Sequence, residues 1–233
     1  MRNYIILNGV NSNTITGLLI STLPPITKPK IRTQTEEIDG RDGDIVTTLG
    51  YSAYDKEIEI GLYGNFDINE VIAYFNTEGT VVFSNENDKY YNYQIIDQID
   101  YEKLIRFKKA KVKMHIQPFK YPTTEATITI SGETTVTNAG NTYARPTLNI
   151  TGSGTIEVTL NDIQIFSIDL GEDEVQITID TASMEAYNSN TTELMNRQVT
   201  GDYSLFKILS GTNTVELSGS VTSANISNYT RWL

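Results

Sequence analysis

Cysteine is absent from this chain, which excludes disulfide bridges and thiolate chemistry outright. Histidine occurs once, at His115, so a multi-histidine metal site is impossible and any Ser-His-Asp relay would have to use that residue. No apolar stretch approaches the roughly 20 residues of a membrane-spanning helix. The start, Met1-Arg2-Asn3-Tyr4 followed by Ile5 to Leu7 and then Asn8-Gly9, lacks the basic-then-apolar pattern of a secretory leader, so synthesis in the cytoplasm is expected. Basic residues are scarce in the second half. Residues 1–122 carry 14 Lys+Arg against 16 Asp+Glu, a net of −2, whereas residues 123–233 carry 4 against 13, a net of −9. So acidic a half argues against nucleic acid as its ligand, because phosphate binding runs on Lys and Arg.

At 233 residues the chain has room for one large β domain or two ordinary ones, and needs no metal or disulfide to hold a core. The first half reads as mixed. Asp55 to Gly64 alternates, with Ile58, Ile60 and Leu62 on one face, as a half-buried strand does. Asp67 to Phe75 switches to helical period, with Ile68, Val71, Ile72 and Phe75 on one side and Asp67 and Glu70 spaced as a capping box. Thr80–Ser84 and Lys89–Tyr93 read as strands joined by the turn 85–88. Leu104 to Gln117 reads as one long strand whose phase slips at a bulge near Lys108. Ile105 and Phe107 face inward before the slip, and Ala110, Val112, Met114 and Ile116 after it. Pro118 and Pro122 then mark a linker, since proline has no N–H for a ladder. The expected division is residues 1–122 and residues 123–233.

Beyond the linker come eight short β-type runs: 127–131, 134–138, 147–151, 155–160, 163–169, 176–179, 214–217 and 221–226. Separated by Gly, Asn and Ser signals and without a helix among them, they predict an antiparallel sandwich or barrel.

Residues capable of chemistry do not assemble into a catalytic pattern. His115 sits mid-strand beside Lys113 on the polar phase, with no nucleophile motif near it. The loop Asp39-Gly40-Arg41-Asp42-Gly43-Asp44 has acidic spacing reminiscent of a calcium loop, but Arg41 occupies a ligand position and no Glu follows at the required offset. It reads instead as a glycine-rich hairpin or interface loop. Glu57 with Glu59, and Glu172-Asp173-Glu174, are the carboxylate groupings that a glycoside hydrolase would need, and both read as solvated surface. No glycine-rich phosphate loop is present. Lys109, Lys111 and Lys113 share one strand face, where lysines keep an edge soluble or meet an acidic partner. The 14 tyrosines, with Tyr90, Tyr91 and Tyr93 nearly adjacent, suit a strand or an interface equally.

Four segments, in order along the chain, resemble the distal tail protein (Dit) family of long-tailed siphophages. They are the opening Tyr4-Ile5-Ile6-Leu7-Asn8-Gly9, the "GRDG" loop within Ile38–Asp44, and the stretch Asn138 to Leu148 with its N-x-G-N and following Pro146. The last is Ser210 to Val215 together with the ending Arg231-Trp232-Leu233. The resemblance implies a mainly β protein. Its N-terminal part would be a β-barrel-like belt domain with one helix and a hairpin, and its C-terminal part a galectin-like β-sandwich. It further implies a homo-hexamer ring, built by the belts, that joins the tail tube protein to the tail-associated and receptor-binding proteins while DNA passes through without specific binding. Such a protein resides in the virion, at the phage tail tip. It has no catalytic residues, cofactor or metal and does not insert into a membrane. A closed ring needs two different matching patches on each copy; the candidates are Asp39, Arg41, Asp42 and Asp44 in the loop and Lys109, Lys111 and Lys113 on the strand. The chain lacks a long second-half insertion resembling an added carbohydrate-binding module. A carbohydrate-binding adhesion module of a baseplate is the alternative reading, with Tyr143, Tyr187, Tyr203, Tyr229 and Trp232 as its aromatic candidates. A hydrolase is a distant third.

Overall fold

Antiparallel strands dominate the architecture, seen in a computed structural model that describes residues 2–233. The described residues divide into two compact units, 2–123 with Leu233, and Thr124–Trp232.

In the first unit the strands are β1 (Ile5–Leu7), β2 (Val10–Asn11), β3 (Leu18–Thr22), β4 (Ile31–Glu37), β5 (Asp44–Tyr51) and β6 (Tyr54–Leu62). Helix α1 (Ile68–Phe75), β7 (Glu78–Phe83), β8 (Lys89–Gln94), helix α2 (Tyr101–Phe107) and β9 (Lys109–Pro122) complete it. Seven strands form one sheet in the order β2-β1-β7-β8-β9-β6-β3, curled as a half-barrel. The alternation read from the sequence sets its inner face: Ile58 and Ile60 from β6 meet Ala110, Val112, Met114 and Ile116 from β9 in one buried cluster. Helix α1 adds Val71, Tyr74 and Phe75 to that cluster, and the Tyr74 hydroxyl donates to the carbonyls of Ile5 (3.1 Å) and Val10 (3.2 Å).

Several expectations for this unit are corrected. The capping box does not form. Asp67 caps alone, accepting from the Asn69 N–H at 2.8 Å, while Glu70 turns away to accept from the Thr16 N–H at 3.2 Å. Among the described residues there are two α-helices, against the one expected. The first part of the supposed long strand is α2, capped by Asp100, which accepts from the Lys103 N–H at 2.8 Å. The slip in phase is the helix end, where Lys108 takes a left-handed conformation (φ 58°) before β9 begins. Only Leu104 of α2 is buried, and Ile105 (43% exposed) and Phe107 (65%) face outward. The prolines do lie within a strand. Pro122 ends β9 opposite Lys89, and Pro118 falls where the β8–β9 register shifts, so neither removes a needed N–H donor.

The second unit comprises β10 (Ile128–Thr129), β11 (Thr134–Asn138), β12 (Thr147–Leu160), β13 (Ile163–Asp169), β14 (Val175–Asp180), β15 (Glu185–Asn188), β16 (Val199–Gly201) and β17 (Gly211–Ser227). Two pairs of expected short runs are single long strands, β12 and β17, which pair along most of their length. Their ladder is irregular around Gly152 and Ser153, and the bend hands β12 from β14 on one half to β13 on the other. Glycines that read as strand ends are the joints of a bent strand. At Gly219 (φ +102°) a Cβ would lie 2.3 Å from the Thr155 carbonyl oxygen, so no side chain fits there. The inward residues of both long strands, Leu148, Ile150, Ile156, Val158, Val215 and Ile226 among them, join one core. Strands β15 and β16 were not expected from the sequence.

Candidate assembly surfaces

Strands β4 and β5 pair only with each other and form a two-stranded arm outside both larger sheets. Every residue from 31 to 49 is exposed. That includes Ile31, Ile38, Ile45, Val46 and Leu49, a set of apolar side chains that the described residues do not cover. The tip holds Asp39, Arg41 and Asp42, with Asp44 opening β5; Gly40 (φ 82°) and Gly43 (φ 78°) supply the left-handed turns, and the Arg41 N–H donates to the Ile38 carbonyl at 3.1 Å. The arm is fixed at its root. The Ser52 N–H donates to the Lys30 carbonyl (2.8 Å), and Tyr51 packs edge-on against Phe119 of β9 at 5.6 Å between ring centres.

Lys109, Lys111 and Lys113 lie on β9 opposite Gly61, Glu59 and Glu57 of β6, and each reaches diagonally to a β6 carboxylate. Lys111 Nζ lies 2.7 Å from Glu57 and Lys109 Nζ 3.8 Å from Glu59; Lys113 Nζ reaches Asp55 (2.9 Å) and Asp97 (3.1 Å). His115 joins the same row, its Nδ1 2.9 Å from Asp55. Hydrogen bonds that the ammoniums donate to Glu57 and Asp55 hold Lys111 and Lys113 above the ordinary lysine value. Bonds from His115 and then Lys113 hold the Asp55 carboxyl below its own. The row is therefore a set of exposed cross-strand ion pairs, each worth little in water. Glu57 and Glu59, the paired carboxylates considered for hydrolysis, are the partners in it. Glu174 instead accepts from the Thr222 hydroxyl at 2.6 Å.

A buried polar cluster lies inside the first unit. Glu86 accepts from Lys120 Nζ (2.8 Å) and from the Tyr91 hydroxyl (2.6 Å). Lys56, only 4% exposed, donates from Nζ to the Pro25 carbonyl at 2.7 Å and lies over the rings of Tyr91, Tyr54 and Phe83. Burial pushes its ammonium down to about 8, against the pull of Glu86. Asn85 Nδ2 donates to the neighbouring Pro24 carbonyl (3.0 Å), so the segment leading to the arm is pinned by two side chains. Nothing in the local sequence marks Lys56, which sits in the phase of the buried isoleucines; it faces Met114 in the ladder, and Glu86 and Lys120 are the charges that act on it.

The motifs of the second unit turn out to be one structural knot. Asn138, 1% exposed, donates from Nδ2 to the carbonyls of Thr142 (2.8 Å) and Ile208 (3.1 Å), and its Oδ1 accepts from the Gly140 N–H (2.8 Å). The Ser210 hydroxyl donates to the Gly140 carbonyl (2.6 Å), and Asn213 Nδ2 to the Leu209 carbonyl (2.8 Å). Arg231 Nε donates to the Tyr143 carbonyl at 2.8 Å. These hydrogen bonds close the loops on one another. Of the five aromatic candidates for saccharide contact none is exposed: Tyr229 is buried with its hydroxyl on the Ala126 carbonyl, and Tyr203 packs on Phe166. Among the described residues no group of three or more metal-ligating side chains is gathered, and no helix is long and apolar enough to cross a membrane.

A half-barrel carrying a projecting hairpin arm, followed by an all-β unit on two long bent strands, defines a Dit-like fold of the phage tail-hub type. The solved structure of SPP1 Dit (gp 19.1), described as a paradigm of the hub adsorption apparatus in Gram-positive infecting phages, has this fold. It matches with a TM-score of 0.69 and 15% identity across 100% of both chains. The phage P2 baseplate in its activated conformation gives TM-scores of 0.49 in both its Ca and Sr forms. Identities there are 12% and 11%, over 97% of this chain and 97% and 96% of the other. No protein-family model matches the chain, and no curated protein matches it in sequence.

Proposed function

We propose that this chain is the structural hub, or distal tail protein, of a long-tailed bacteriophage. In this reading residues 1–122 form the belt, residues 123–233 a galectin-like outer domain, and the belts of a hexamer close a ring at the tail tip of the virion. The ring joins the tail tube to the tip or baseplate and anchors the tail-associated and receptor-binding proteins for host adsorption. The protein is made in the host cytoplasm. The observation that carries the reading is the arm. A two-stranded hairpin is marginal by itself in water, and one with five exposed apolar side chains calls for a partner surface. Likeness to the SPP1 hub over the full chain supplies the context.

The hub must admit DNA without holding it, which suits a protein of net charge −11. The test is the solution mass of the purified chain by light scattering, with negative-stain images of the same peak. A mass near a hexamer with a central hole supports the hub. A monomer that also forms no ring with the tail protein encoded beside it would end this reading.

A further inference from the structure

The arm and one other surface of the first unit both expose apolar side chains and carry opposite charge. Residues 31–51 carry Glu36, Glu37, Asp39, Asp42 and Asp44 against Arg32 and Arg41, a net of 2 − 5 = −3. Their own chain leaves them uncovered, so the surface that meets them belongs to another molecule.

Residues 103–113 carry six cations and no carboxylate. Four of the six are engaged locally: Lys109, Lys111 and Lys113 by the β6 row and Arg106 by Glu102 at 3.7 Å. Lys103 and Lys108 have no carboxylate within 4 Å among the described residues. Lys108 instead lies over the Phe66 ring at 4.2 Å. Lys103 lines a cleft of about 250 Å³ between α2 and β9, together with Glu59, Gln98, Asp100, Lys109 and Lys111. Phe107, 65% exposed, sits four residues beyond Lys103 and so on the same side of the helix, one turn away. Exposed aromatics are enriched at interfaces, and a lysine without a local carboxylate beside one can steer an acidic partner into register.

We propose that the α2–β9 cleft is the socket for the arm tip of a second copy: Lys103 meets the carboxylates of the Asp39–Asp44 loop, and Phe107 covers its apolar residues. This rests on the ring reading and makes it specific. The arm is one patch, the socket the other, and because they differ, the contact runs head to tail, as a closing ring requires. It also reassigns the strand lysines. Lys109 and Lys111 contribute the wall of the cleft, while Lys113, held by two carboxylates, stands outside it.

The absence of native cysteine makes a direct test clean. Lys103→Cys combined with Asp39→Cys, Asp42→Cys or Asp44→Cys in turn, in the full chain under mild oxidation, is expected to give a ladder of disulfide-linked multimers for at least one pair. Each single-cysteine variant stops at dimer. In parallel, Lys103→Glu and Phe107→Asp, with far-UV circular dichroism unchanged, are expected to shift the assembled mass to monomer in light scattering. Asp42→Lys placed on Lys103→Glu is expected to restore assembly at least in part. A wild-type ring that survives both substitutions and yields no ladder overturns the socket and leaves the hub reading standing. A wild-type chain that stays monomeric, alone and with the adjacent tail protein, overturns the hub reading and the socket with it.

Discussion

The side-chain oxygen of Asn138 accepts the backbone N–H of Arg231 at 3.4 Å, joining two segments 93 residues apart. With its amide on two carbonyls and its oxygen also on the Gly140 N–H, one buried residue ties together three stretches: residues 138–142, Ile208 and the chain's end. The approach is close enough that a Cβ on Gly140 would lie 1.8 Å from the Arg231 carbonyl oxygen.

Asn138→Ala is expected to cost about 2–4 kcal/mol, because it leaves buried carbonyls and an N–H without partners. Urea unfolding of the variant beside the wild type measures this. A loss under about 0.5 kcal/mol would mean that water replaces the side chain.

At the bend in the second unit, Gly219→Ala combines a left-handed backbone (φ +102°) with a Cβ driven against Thr155. The expected loss is about 2 kcal/mol or more, beyond the usual cost of alanine at a compatible site. The same substitution at Gly132, where a Cβ would meet nothing within 4 Å, isolates the strain of positive φ from the clash.

Lys56 gives the first unit a distinctive pH response. Its folded value of about 8 lies below the 10.5 of an exposed lysine, so between those values the unfolded chain binds more protons than the folded one. Stability is expected to rise with pH through that window, by up to about 1.4 kcal/mol per pH unit. The rise is cut off above about pH 10, where Tyr74 and Tyr91, pushed up by burial, ionise only in the unfolded chain and reverse the slope. Lys56→Met removes the rise and leaves the fall. Denaturant midpoints from pH 7 to 11 would show it, and parallel curves for the two proteins would refute it.

Lys111→Ala deletes the shorter of the two β6–β9 ion pairs made with glutamate, yet it should leave the unfolding midpoint almost unchanged, since both partners are exposed. Glu86→Ala, which strips buried Lys120 of its paired carboxylate, should cost about 3–5 kcal/mol. A comparison of the two in one thermal series separates ornamental from structural charge.

Local chemistry was readable wherever it did not depend on distant partners. Glycine and aspartate at Asp39–Asp44 mark a turn whatever surrounds them, and that loop does close a hairpin. Alternation placed Ile58, Ile60, Ala110, Val112, Met114 and Ile116 on a buried face, and there they are. The run Leu104 to Phe107 was misread because its apolar residues fit a strand as well as a helix end. The deciding feature, Asp100 capping the Lys103 N–H, lay upstream of the pattern. Glycine in the second unit was likewise ambiguous: Gly152 and Gly219 have the same composition signal whether a strand stops or bends.

By itself the sequence determined the class of protein: a disulfide-free, mainly β chain with an acidic second half, a glycine-aspartate hairpin tip and no catalytic grouping. Those properties follow from side-chain period, turn chemistry and charge count, all local quantities. Only the tertiary structure decided which charges are spent. Strand register, set by contacts between segments more than 50 residues apart, set Glu57 and Asp55 diagonally within reach of Lys111 and Lys113. Among the described residues Lys103, on α2, has no carboxylate within 4 Å, and no side chain covers the arm.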